Sequence, residues 1–261
     1  MTMVSPPSIT TNPAIDLFAS LDLNSVALLF DVDGTLIELG PSPFEVHVPA
    51  DLLASLSRLM ELTGGAVALV SGRPIIDLDY LFMPLKLPAI GGHGAEMRVR
   101  ADARCPPARA LSEEFRLRLG EAARLDSGIV VEDKGYSVAL HYRLAPHCAE
   151  QLRQYTAGCC AAFAGEPTEL LLGKAVFEVK LPGINKGDAV RAFMTEPPFA
   201  SRTPVFLGDD ITDEAVFKVM PELGGRSFSV TRRYPGLAGV FESPGQVRRA
   251  LQHLAGLARP A

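Results

Sequence analysis

Four short apolar runs punctuate the chain: VALLFDV (26–32), AVALVSG (66–72), LPAIGG (87–92) and PVFLGDD (204–210). Their length and weak alternation predict strands buried on both faces, as in a parallel sheet. Between them, PADLLASLSRLMELTGG carries Leu52, Leu56 and Leu59 at helical spacing, with Pro49 at its start and Gly64 as its stop. KGDAVRAFM and TDEAVFKVMPEL read as helices by the same criteria. Strands alternating with helices predict an α/β fold, a doubly wound, Rossmann-like parallel sheet with helices on both faces. Ligands of such sheets sit beyond the carboxyl ends of the strands.

The pattern changes between about 104 and 180. There a helix (LSEEFRLRLGEAARL) is followed by a hairpin (GIVVEDKGYSVALHYRL), a second helix (PHCAEQLRQYTAGCCAAFA) and two more strands (TELLLGKAVFEVKLP). Period-2 alternation on either side of Asp133-Lys134-Gly135 marks the hairpin turn. This order predicts a small α+β layer, residues 104–180, inserted into a core of residues 1–103 and 181–261. Pro106-Pro107 and Pro182-Gly183 punctuate its edges. Ahead of the first strand, MTMVSPPSITTNPAID reads as a flexible lead-in without the basic flank and apolar block of a signal peptide.

At 261 residues, 48% hydrophobic and 21% charged, the chain is long enough to bury a full core. A net charge of −5 gives no support for nucleic-acid binding, and no apolar segment is long enough to span a bilayer. Cys105, Cys148, Cys159 and Cys160 include no Cys-x-x-Cys pair, and Cys159 falls in a helical stripe with Leu152, Tyr155 and Phe163. All four read as reduced cysteines of a cytoplasmic protein, expected to be a monomer.

Chemistry enters where the strands stop. In NSVALLFDVDGTLIELGPS the first run ends in Asp31 and Asp33, two carboxylates whose i, i+2 spacing points them the same way. An Asp-Gly hairpin turn is the competing reading of that stretch alone. A second strand, in VFLGDDITDEAVF, also ends in acids, Asp209 and Asp210, with Asp213 beyond. Like charges packed together need a counter-charge, and an all-oxygen ligand set favours a hard cation such as Mg²⁺. Ser71 in LVSGRP and Lys186 in GINKGDA offer a hydroxyl and an ammonium to a phosphate.

Taken in order, these four elements resemble the haloacid dehalogenase superfamily of aspartate-based phosphatases. Its pattern is Asp-x-Asp-Gly-Thr, then Ser or Thr, then Lys, then Gly-Asp-Asp-x-x-x-Asp. The resemblance implies a haloacid dehalogenase core in which Asp31 is the nucleophile and Asp33 the general acid and base. It implies that Thr35, Ser71, Gly72 and Lys186 hold the phosphoryl group. Mg²⁺ would be held by Asp31, the Asp33 carbonyl and Asp209, with Asp210 and Asp213 in support. The insert takes the place of that superfamily's cap. Within it and around it, GGHGAE, VEDKGYSVALHYR, GKAVFEVKLPGINKG and FLGDDITDEAVF are similar to the trehalose-6-phosphate phosphatase family. That similarity implies trehalose 6-phosphate as the small-molecule substrate. The VKLPGIN loop and Phe241, where the family often has Tyr, depart from its pattern. Alternating strands in the insert give it one apolar and one polar face, and His93, Glu132, Lys134, Arg143, Lys174 and Glu178 are the candidate sugar contacts. A sucrose-phosphate or mannosyl-3-phosphoglycerate phosphatase, or a non-catalytic sugar-phosphate sensor, are the alternatives, although a sensor would be expected to lack Asp31, Asp33 or Lys186.

Overall fold

The computed structural model describes residues 13–40, 45–103 and 109–257. The first twelve residues, Cys105 and the Pro106-Pro107 boundary lie outside them. In chain order, α1 (Pro13–Ala19) precedes β1 (Val26–Phe30), α2 (Ala50–Leu62), β2 (Val67–Val70), α3 (Ile75–Leu81), β3 (Ala89–Gly91) and β4 (Glu96–Arg98). The middle stretch holds α4 (Glu113–Gly120), β5 (Val130–Asp133), β6 (Ser137–His141), α5 (Ala149–Ala162), β7 (Glu169–Gly173) and β8 (Val176–Lys180). The chain then continues through α6 (Lys186–Phe193), β9 (Thr203–Gly208), α7 (Glu214–Val219), β10 (Arg226–Val230), β11 (Gly239–Phe241) and α8 (Pro244–Leu254).

Seven strands form one sheet in the order β11-β10-β9-β1-β2-β3-β4. β1 lies at its centre, parallel to β9 and to β2. Every β1 residue is buried, because the strand feeds two cores at once. Val26, Leu28 and Phe30 face the layer of α2 and α8, whereas Ala27 and Leu29 face the layer of α6 and α7. Full burial of each large apolar side chain contributes about 1.5–3 kcal/mol. The same alternation carried two residues further puts Val32 in the first layer and aims Asp31 and Asp33 towards the second.

The expected parallel sheet is completed by one antiparallel edge strand, β4. A tight reversal at Gly92–Gly94 makes this edge, and Gly92 and Gly94 sit at φ +55° and +110°, which side chains with a Cβ rarely adopt. The three residues of β4, Glu96-Met97-Arg98, carry no apolar run for a sequence reading to detect. The lead-in is likewise corrected, because from Pro13 it folds into α1. Phe18 of that helix is fully buried, edge-on to Phe228 and Phe241 at ring distances of 5.5 and 5.8 Å. Phe241 therefore sits in a wholly apolar pocket that has no use for a tyrosine hydroxyl.

The middle stretch builds a separate antiparallel sheet, β5-β6-β8-β7. Val138, Leu140, Phe177 and Val179 pack beneath Phe115 and Leu119 of α4 and Leu152 and Cys159 of α5, forming a third apolar cluster. The opposite face carries Glu132, Ala139 and Glu178 in one cross-strand row, with Val130, His141 and Val176 in the next. That face looks onto the carboxyl ends of β1, β2 and β9. Cys148, Cys159 and Cys160 are free thiols.

Candidate active site

Asp31 follows the last residue of β1, and its backbone amide donates to the Leu207 carbonyl, which continues the pairing with β9. Its buried carboxylate accepts a 2.7 Å bond from Lys186 Nζ and a 3.1 Å bond from the Thr35 hydroxyl. Lys186 is itself buried at the first turn of α6, where Asn185 caps the helix by accepting from the Asp188 amide. Its ammonium donates equally to Asp213 at 2.7 Å. Burial and the charges of Asp213 and Asp209 push the Asp31 carboxyl well above the usual carboxylate range, against the opposing pull of Lys186. Burial pulls Lys186 down, but Asp213 and Asp31 outweigh it and hold the ammonium strongly protonated.

Asp213 is completely buried and has three donors: Lys186, and the amides of Asp209 at 2.8 Å and Asp210 at 3.1 Å. It thus shapes the turn after β9 and holds Asp209 against Asp31. Oxygens of Asp31, Asp209 and Asp213 all lie within 4.8 Å of one another. Three buried carboxylates around one ammonium leave an excess of negative charge that suits a divalent cation. The approach is tight, because a Cβ on Gly34, at φ +85°, would come within 2.3 Å of Asp209 Oδ2. Lys174, at the tip of the β7–β8 hairpin, places its ammonium on Asp209 where a cation would be attracted. The Asp33 and Asp210 side chains are employed differently. Asp210 caps the following 3₁₀ turn, and Asp33 receives a fork of two bonds from Arg73, at 2.6 and 2.7 Å.

Ser71, buried past the end of β2, accepts from the Arg73 amide at 3.1 Å. Gly72 cannot be replaced cheaply, since a Cβ there would meet His93 Nε2 at 2.4 Å. Its carbonyl accepts from Lys134 Nζ at 3.0 Å, so the insert grips the loop after β2 directly. Lys134 also donates to Glu178 at 3.2 Å, and Glu178 is further bound by His93 at 2.9 Å and Ser137 at 2.7 Å. Burial works against ionisation of Glu178, but Lys134, His93 and Ser137 together hold its carboxyl far below the ordinary range. Glu132 pairs with His141 at 3.0 Å and lies 3.8 Å from Lys134. Arg143 is exposed and donates to the Gly40 carbonyl.

One cleft therefore gathers Asp31, Asp33, Ser71, Gly72, Lys186 and Asp209 on its floor. His93, Glu132, Lys134, Arg143, Lys174 and Glu178 stand around its walls and roof. Thr35 lies beneath, its hydroxyl given to Asp31. Arg73 escapes a reading of the sequence, whereas His141 is legible there only as a polar-face residue of the insert. Arg73 reads as part of the turn after Ser71, and its strand-end position was the available signal. His141 becomes a site residue through its partner Glu132 and through Ala139, whose small side chain leaves the cleft open.

The fold is that of solved phosphatases of the haloacid dehalogenase superfamily. The trehalose-phosphatase family profile matches residues 29–234. Over 227 residues the chain is 43% identical to a probable trehalose-phosphate phosphatase of Sinorhizobium fredii, covering 86% of this chain and 85% of that one. It is 40% identical over 208 residues to the trehalose-6-phosphate phosphatase of Escherichia coli, covering 78% and 77% respectively. The C-terminal domain of a trehalose-6-phosphate phosphatase of C. albicans superposes with a TM-score of 0.80 at 22% identity, over 96% of this chain and 100% of that one. The chain belongs to the trehalose-phosphatase family.

Proposed function

We infer that the protein hydrolyses trehalose 6-phosphate to trehalose and phosphate through an aspartyl phosphate on Asp31. The observation that carries this reading is the closed pairing of a reactive floor with a polar roof. Asp31, Lys186 and Asp33 lie under the Glu132–Ala139–Glu178 row, and Lys134 joins the two. In the first half-reaction an Asp31 oxygen attacks phosphorus and the bond to the sugar oxygen breaks. Asp33, turned from its Arg73 fork and protonated from solvent, gives that proton to the sugar oxygen, and trehalose leaves. In the second half, Asp33 takes a proton from water as the water attacks phosphorus, which frees phosphate and restores both carboxyl groups. Lys186 and the Ser71–Gly72 turn hold the transferring oxygens.

Mg²⁺, held by Asp31, the Asp33 carbonyl and Asp209, would neutralise charge at the phosphoryl group. Lys174 would then be released from Asp209 to the sugar. The magnesium requirement has a thermal consequence. Mg²⁺ at about a hundred times its dissociation constant should add roughly 2.7 kcal/mol of stability, read as a higher melting temperature than in EDTA. Unaltered turnover in EDTA would remove the metal from the reaction.

Residues 104–180 constitute the cap and the remainder the core, a division supported by the separate sheets and apolar clusters. The enzyme is read as a cytoplasmic monomer. Among the described residues no helix is long and apolar enough to cross a membrane.

The assignment is tested by phosphate release across a panel of sugar phosphates, with p-nitrophenyl phosphate as a substrate lacking sugar. Trehalose 6-phosphate should give the highest kcat/KM. Glu178→Gln and Arg143→Ala should lower it about ten- to hundredfold for trehalose 6-phosphate, the effect of losing one charge-assisted hydrogen bond. Hydrolysis of p-nitrophenyl phosphate should stay near wild type. Equal loss on both substrates would remove these residues from sugar recognition, and a preference for sucrose phosphate or a mannosyl phosphoglycerate would redirect the assignment.

A further inference from the structure

Away from the catalytic floor, three donors of different hardness converge where the loop before β5 meets the start of α5. Asp126 Oδ2 lies 3.1 Å from His147 Nε2, and the Cys148 sulfur sits beside the same carboxylate. A carboxylate oxygen, an imidazole nitrogen and the sulfur all lie within 4.8 Å of one another. The group is closed behind and open in front, because Cys148 is 5% exposed whereas 70% of the His147 side chain meets solvent.

The backbone holds this group in place. Asp126 Oδ1 accepts from the Gly128 amide at 2.8 Å, and the Asp126 carbonyl accepts from the Ile129 amide at 3.1 Å. Cys148 and His147 belong to a 3₁₀ turn, Pro146–Cys148, closed by the Cys148 amide donating to Ala145 at 3.0 Å. The two segments press together so closely that a Cβ on Gly128 would come within 2.8 Å of the Leu144 carbonyl oxygen. Three donors are thus presented by a rigid crossing of two loops, on residues that the phosphatase reaction does not use.

We propose that Asp126, His147 and Cys148 form a binding site for a divalent ion of the zinc class, with water at the fourth position. One sulfur, one nitrogen and one oxygen donor suit Zn²⁺ and disfavour Mg²⁺ and Ca²⁺, which take oxygen ligands. The site therefore differs in kind from the all-carboxylate cluster beneath the cleft. On binding, the ion replaces the Asp126–His147 bond, neutral His147 supplies a ring nitrogen, and the Cys148 thiol releases its proton to solvent. Burial and the Asp126 charge keep that proton on sulfur when no ion is bound. The position of Cys148 at the amino end of α5 favours the thiolate once it forms. Gly128 and Leu144 also line the catalytic cleft, so a bound ion would pin its rim and make sugar entry sensitive to zinc.

Cobalt is the probe, added to the full chain with the carboxylate cluster saturated by Mg²⁺. One equivalent of Co²⁺ should produce a near-ultraviolet thiolate-to-cobalt absorption, and Zn²⁺ should displace it. His147→Ala and Asp126→Asn should each weaken cobalt binding by at least about tenfold, and Cys148→Ser should abolish the absorption. His147→Ala alters only an exposed side chain, so it should leave p-nitrophenyl phosphate turnover in Mg²⁺ unchanged and keeps the test valid if Cys148→Ser folds poorly. The proposal is overturned if no such absorption appears. It is equally overturned if the absorption persists in Cys148→Ser, which would assign it to another thiol, or if His147→Ala binds cobalt as tightly as wild type.

Discussion

Asp31→Asn should eliminate turnover, by at least about 10⁵-fold, and with it the covalent intermediate. An amide oxygen of similar size leaves the local packing in place but attacks phosphorus poorly. Acid-quenched enzyme mixed with labelled substrate should therefore carry no phosphate on protein. Stability separates this chemical effect from misfolding. The Asp31 carboxyl is pushed upward by burial and by Asp213, so its charge is disfavoured by the fold even with Lys186 beside it. A neutral amide removes that repulsion, and the melting temperature in EDTA should not fall. Labelled protein in the variant would transfer the nucleophile's role to another residue.

Lys186→Met should harm the enzyme in two ways. Lys186 is the ammonium shared by Asp31 and Asp213, and all three side chains are buried. Removing one member of a buried ionic group leaves the others uncompensated, at a typical cost of about 3–5 kcal/mol. For a domain of this size that corresponds to a melting temperature lower by roughly 6–20 °C. Turnover should fall by a further 10²- to 10³-fold, roughly the effect of losing one donor to a developing charge. Mg²⁺ should recover part of the stability, because it supplies positive charge to the same carboxylates, and little of the rate. A variant as stable as wild type in EDTA would show that the acids neutralise one another by sharing protons.

Much of this arrangement is legible in the chain because strand periodicity is strict. A buried parallel strand must be apolar on both faces, so Asp31 and Asp33 directly after VALLF signal a functional strand end. The same reasoning reaches Asp209 and Ser71. It fails where the deciding fact is a partner distant in sequence. Arg73 forks onto Asp33 across forty positions, and Glu178 meets His93 across eighty-five. No local pattern encodes either contact. β10 shows no apolar run in the sequence, because RSFSV alternates buried Ser227 and Ser229 with Phe228 and Val230. The reach of Lys174 to Asp209 from the hairpin tip is likewise not encoded locally. Hairpin reach depends on how two sheets face each other, which a one-dimensional pattern does not contain.

Lys134 binds the Gly72 carbonyl and Glu178 together, and His93 closes the same circuit from the core side. Two of these bonds, Lys134 to Gly72 and His93 to Glu178, cross between residues 104–180 and the rest of the chain, whereas Lys134 and Glu178 share one sheet and would stay paired if the two parted. Lys134, Glu178 and His93 are largely buried, so dissolved ions screen these contacts little. On the proposed function, breaking the two crossing bonds would open the cleft above Asp31. The pace of a catalytic cycle would then be governed as much by the parting of one lysine from one peptide carbonyl as by any bond to phosphorus.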